Sequence, residues 1–167
     1  MPLAKLGFSE SNKKLIESGQ IEASNEFTKL SVDLMKTVRS GNETAKIQEK
    51  LAQLDPNLLA ENLITDAQKK TFWINVYNAH IQIILSKNPE FFDDRGKFFS
   101  SDMMVIAGES LSFDKIEHGI IRGSKFKLAL GLIKNPFAGK FEKQMRTGKE
   151  DGRVHFALNC GAKSCPL

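Results

Sequence analysis

The C-terminal segment GRVHFALNCGAKSCPL, residues 152–167, carries the densest chemistry in the chain, with His155, Cys160 and Cys165 following one another at five-residue intervals. A thiol attacks a carbonyl only as its thiolate, so a catalytic cysteine needs a setting that lowers its pKa and a base within reach. Cys165-Pro166 has the form of a helix start with proline at the first helical position, and a helix N-terminus favours a thiolate. Cys165 is therefore the candidate nucleophile and His155 its base. Asn78 or Asn159 can orient the imidazole, the part played by the third residue of a Cys-His-Asn arrangement. Two other uses of the segment compete. His155, Cys160 and Cys165 form an H-x4-C-x4-C pattern that, with His118 or Glu117 as fourth ligand, makes a zinc module. Cys160 and Cys165 can also close a small disulfide loop, which a reducing compartment disfavours. A free thiol pair is the preferred reading, with no metal and no cofactor expected.

The elements that must position these groups follow from periodicity. Arg153 to Asn159 alternates in strand fashion, with Val154, Phe156 and Leu158 on one face and His155, Ala157 and Asn159 on the other. Continued parity puts Cys160 among the apolar residues as a small buried hydrophobe and turns it away from His155, against the zinc reading. Upstream, Thr65 with Gln68 three residues on forms a capping box for a helix running to Lys87, where Asn88-Pro89 ends it. That helix is apolar on most faces, which predicts a central position. Asn75, Asn78 and Gln82 share one face, and buried amides need partners. They either tie neighbouring loops or, for Asn78 above all, face a functional cleft. His80 on the same helix reads as a satisfied core histidine outside the site.

Met103 to Phe113 predicts a β-hairpin with Gly108 in the turn. Ser112 then caps a short helix through Ile121 that carries Glu117 and His118 and stops at Gly123. These two residues and Cys160 are second-rank site candidates. The first sixty residues predict short amphipathic helices. Phe27, Leu30, Leu34 and Val38 mark one, ended by Gly41 and Asn42; Ile47, Leu51 and Leu54 mark the next; Asp55-Pro56 starts a third. The fold class is α+β: one domain over 1–167, with a helical N-terminal half packed on a small antiparallel sheet. Residues 1–65 form the helical layer and 66–167 the core.

Composition narrows the class further. Of the 167 residues, 41% are hydrophobic and 26% charged, an ordinary globular balance that excludes intrinsic disorder. No apolar run is long enough to span a bilayer, and residues 1–8 lack the apolar core of a secretion signal, so the expected compartment is the cytoplasm unless a leader has been removed. The net charge of +4 is uneven: residues 122–149 hold eight basic residues and one acid. Such a stretch attracts anions, but its phenylalanines are spaced for packing, with no stacking motif. A solvated face is expected, with nucleic acid an improbable partner.

The blocks FWINVYNA (Phe72 to Ala79), FDKIEHGIIR (Phe113 to Arg122) and GRVHFALNCGAKSCP (Gly152 to Pro166) together resemble the domain of unknown function 547 family over roughly residues 71 to 166. The resemblance implies a fold neighbourhood and brings no agreed reaction. Its Asn, His and Cys positions, matched by Asn78, His118, His155, Cys160 and Cys165, invite comparison with papain-like or transglutaminase-like thiol enzymes whose elements run in a different chain order. Gly152 departs from the family pattern, which has proline before the Arg. Relatives continue beyond the Cys-Pro dipeptide, so the resemblance implies the front part of a longer domain, with apolar surface open to self-association. Two functions are thus expected in competition: a thiol-dependent hydrolase or acyl transferase, and a non-catalytic interaction domain whose Asn, His and Cys residues form a buried polar network.

Overall fold

The computed structural model describes residues 24–124, 138–149 and 151–158. Its first helices begin where capping chemistry places them. Asn25 caps α1 (Glu26–Arg39) with its side chain on the Thr28 amide while the Thr28 hydroxyl answers the Asn25 amide, satisfying two otherwise orphaned donors. Helix α2 (Ala45–Ala52) follows, and Asp55 caps α3 (Pro56–Asn62) through the amides of Asn57 and Leu58.

Helix α4 (Asp66–Lys87) starts on the expected Thr65/Gln68 capping box and, at 22 residues, is roughly 33 Å long. It is central: Phe72, Trp73, Val76, Tyr77 and Ile81 are all sealed from solvent, and α1 lies along it. Edge-on ring contacts extend its core outward, with Trp73 against Phe141 at 6.0 Å and Tyr77 against Phe113 at 5.1 Å, a geometry that suits the ring quadrupoles. Two amides of the polar stripe go to different neighbours. Asn75 reaches the Ser31 hydroxyl at 3.4 Å, and Asn78 the Ala157 carbonyl at 2.8 Å.

A 3-10 segment (Pro89–Asp94) and α5 (Arg95–Ser100) lead to the hairpin, in which β1 (Met104–Ile106) pairs antiparallel with β2 (Glu109–Leu111), Met104 opposite Leu111. Its two-residue turn has positive φ at both Ala107 (51°) and Gly108 (75°), the mirror-image turn whose twist matches the strands. Alanine tolerates this because the turn amides are bonded at 2.8 Å to the carbonyls of Leu51 and Ala52, ending α2 on the hairpin. Helices packed on a small antiparallel sheet make the fold α+β, as expected.

The helix after Ser112 is wider than the usual α-helix: Lys115–Ile121 is a π-helix, closed by Arg122 N–H to the Glu117 carbonyl at 2.9 Å. It ends at Gly123, whose φ of +70° and 2.9 Å approach to the Thr147 carbonyl, measured from an added Cβ, leave no room for a side chain. Short helices α6 (Lys140–Met145) and α7 (Val154–Ala157) complete the described residues.

Helix α7 corrects the expected strand over 153–159. Asp151 nucleates a helical turn: its carboxylate accepts from the Arg153 amide at 3.1 Å and its carbonyl from Val154 at 3.0 Å. Val154 and Leu158, one turn apart, are buried, while Phe156 is 82% exposed, so apolar alternation here does not mark one face. Strand parity consequently gives no direction for Cys160, which lies outside the described residues, as do Asn159 and Cys165.

Candidate functional site

Three elements converge on His155: the middle of α4, the π-helix and α7. Each supplies its residue for a local reason. Tyr77 is carried on the buried face of α4, and its hydroxyl reaches Glu117 Oε2 at 3.4 Å. Five residues separate Glu117 from Arg122, which on a 3.6-residue helix points them about 140° apart. The π-turn brings them together, and Arg122 Nη2 meets Glu117 Oε1 at 2.8 Å with both side chains mostly withdrawn from solvent. π-Turns of this kind occur preferentially at functional sites. Arg122 Nη2 lies 3.3 Å from His155 Nδ1. A guanidinium only donates, so Nδ1 is the acceptor and the neutral ring carries its proton on Nε2.

Asn78 acts one step removed from the ring. Its Nδ2 donates to the Ala157 carbonyl, fixing the turn on which His155 sits. Asp151 holds the other end of the turn. It accepts from Arg153 Nε at 2.9 Å and Nη2 at 2.8 Å, and from Lys70 Nζ at 3.3 Å. The Arg153 hydrogen bonds, supported by Lys70, hold its carboxyl well below the usual carboxylate range. Between these parts lies a small cavity of about 150 Å³ lined by Ile121, Arg122, Asp151, Gly152, Val154 and His155. His155 itself is exposed, beside the exposed ring of Phe156.

Of the sequence candidates, the fold thus gathers His155, Glu117 and Asn78. His118 does not join them: its Nε2 turns to Asp114 at 3.9 Å. Cys160 and Cys165 lie outside the described residues. Among the described residues no group of three His, Cys, Asp or Glu side chains can hold a metal ion. The cluster adds Tyr77 and Arg122, which residue spacing did not single out although both fall within the blocks FWINVYNA and FDKIEHGIIR. His80 sits as expected in the core, with Nδ1 donating to the Val76 carbonyl at 2.8 Å.

Fold and cluster together define a small α+β domain built around a central helix, with an ordered imidazole at its surface. The chain belongs to the family described as Protein of unknown function, DUF547, whose model matches residues 61–167. No curated protein and no solved structure matches it. Among the described residues, no helix is long and apolar enough to cross a membrane.

Proposed function

We propose that this domain is a thiol-dependent hydrolase or acyl transferase in which Cys165 is the nucleophile, His155 its imidazole partner and Asn78 the residue that positions the His155 turn. One observation carries the reading. An exposed imidazole is ordered by a chain of polar contacts that runs from the core outward, Tyr77 to Glu117 to Arg122 to His155. Exposed side chains gain little from such ordering, whereas a catalytic base needs a third group to fix its ring. The tautomer sets the chemistry. With Arg122 on Nδ1, the ring offers Nε2–H, suited to holding Cys165 as a thiolate. To take a proton from a thiol at Nε2, the ring must carry its other proton on Nδ1, and then Arg122 must release that nitrogen.

The test is competitive alkylation of the two cysteines with iodoacetamide near neutral pH, read by peptide mass spectrometry. Cys165 is expected to react faster than Cys160, with its rate falling at least about tenfold in His155→Ala. Equal rates at both thiols, or a Cys165 rate indifferent to that substitution, would falsify the proposal. A second reading, a non-catalytic domain stabilised by the same contacts, is favoured by Asn78 bonding to backbone rather than to the ring. It requires Asn78→Ala to lower stability by about 1 kcal/mol without altering cysteine reactivity.

A further inference from the structure

A helix of four residues such as α7 does not hold itself in place, because fixing one turn costs more entropy than its few hydrogen bonds return. Apolar contact secures it only through Val154 and Leu158, while Phe156 faces solvent. Its position must come from polar anchors, and the start of α4 supplies them. Asp66, Lys69 and Lys70 are spaced three and four residues apart, which puts them on one face of that helix, and all three are partly buried. Asp66 accepts from the amides of Gly148 at 2.7 Å and Lys149 at 2.9 Å. Lys69 Nζ donates to the carbonyls of Gln144 at 3.1 Å and Arg146 at 3.0 Å, at the end of α6 where the last carbonyls have no partner within the helix. Lys70 Nζ donates to Asp151 Oδ2 at 3.3 Å, with only 20% and 21% of the two side chains exposed. Five hydrogen bonds thus join the start of α4 to residues 144–151, across sequence separations of 75 to 83 residues.

We infer that Lys70, with Asp66 and Lys69 behind it, is a positioning residue for His155, so that the start of α4 sets where α7 and its imidazole stand. This role rests on the reading of His155 as the working imidazole of the site. Asp151 heads the turn, and Lys70 ties it to α4. Asn78, eight residues further on and about 12 Å along the helix axis, takes the Ala157 carbonyl at the other end. The turn is therefore strung between two points of one rigid helix. Arg122 meets the ring from the π-helix at 3.3 Å, near the far limit of a hydrogen bond, and a small drift of α7 breaks that contact. Charge holds the anchors in their working state. Burial raises the Asp66 carboxyl, but the amides of Gly148 and Lys149, helped by Lys70 and Lys69, outweigh it and keep the group below the ordinary carboxylate value. An isolated surface ion pair counts for little; Lys70 and Asp151 differ in joining two distant segments beside four further bonds.

The experiment follows the imidazole nitrogen-15 resonances of the full chain by NMR at about pH 8, where an ordinary imidazole is neutral. The Nδ1 resonance of His155 responds to the hydrogen bond from Arg122, and Arg122→Met marks where it lies without that bond. Lys70→Met should move Nδ1 most of the way to the Arg122→Met position. Lys70→Arg, which keeps a donor for Asp151, should leave it where the parent has it. Both Lys70 variants should unfold in urea at the parent's midpoint, which separates displacement of α7 from loss of the fold. Asp66→Asn, which weakens the grip on the Gly148 and Lys149 amides, should move Nδ1 in the same direction and carries the test should Lys70→Met not fold. The role is overturned if the parent resonance already coincides with that of Arg122→Met, if Lys70→Met leaves Nδ1 in place, or if Lys70→Arg moves it as far as Lys70→Met does. No thiol takes part in this measurement, so its failure and that of the Cys165 alkylation test are read independently.

Discussion

Lowering the pH from 7 to 5 should destabilise this protein through His80. Burial depresses its pKa below the ordinary 6.5, opposed only in part by the hydrogen bond to Val76. In the unfolded chain the imidazole protonates as the pH falls through 6.5, while the folded form protonates only at a lower pH. The unfolded state then binds more protons, so stability falls with falling pH, and the loss levels off only below the folded pKa. The unfolded value caps the loss between pH 7 and pH 5 at about 2 kcal/mol. For a chain of 167 residues that corresponds to a fall in Tm of roughly 4 to 8 °C. The depressed carboxylates Asp66 and Asp151 do not interfere. Their stabilisation is present above the usual carboxylate range, near 3.8, and is lost only as the pH falls below it. The assay is urea denaturation at pH steps between 7.5 and 5 on the parent and His80→Leu. His80→Leu should flatten the profile. A parent equally stable at both ends, or a His80→Leu profile as steep as the parent's, would refute the reasoning.

Two substitutions test local geometry. Gly123→Ala should cost about 2 kcal/mol or more in denaturant unfolding, because a left-handed conformation is strained for any residue with a Cβ and the new atom meets the Thr147 carbonyl at 2.9 Å; a loss under about 0.5 kcal/mol would contradict the close approach. Phe156→Ser should stay within about 0.5 kcal/mol of the parent, whereas Val154→Ala should cost about 1 to 2 kcal/mol, since the first ring is exposed and the second side chain buried. A strand over these residues would reverse that expectation for Phe156, so thermal melts of the pair discriminate the two conformations.

What could be read from the sequence was what short-range chemistry determines. The caps at Thr65 and Asp55, the proline after Asn88 and the turn at Gly108 each act within a few residues, and each element they predict is present. The stretch from Arg153 to Asn159 failed for a physical reason. A run this short satisfies the period of a strand and of one helical turn equally, and the outcome was decided by Asp151, whose side-chain and backbone acceptors favour the turn.

The same distinction explains the site. His155, Glu117 and Asn78 could be nominated from their types, but not the way they connect. Arg122 escaped notice because a five-residue interval to Glu117 pairs no side chains on a regular helix, and nothing in KIEHGII announces a π-turn. Once that turn exists, Arg122 rather than Asn78 reaches the ring, and it does so as a donor. That reverses the proton expected on a catalytic imidazole whose orienting group is an acceptor. In the structure, then, His155 accepts at Nδ1 from Arg122 and leaves Nε2–H as its free donor. Nothing in residue spacing could supply that tautomer, because it depends on the π-turn that carries Arg122 to one ring nitrogen.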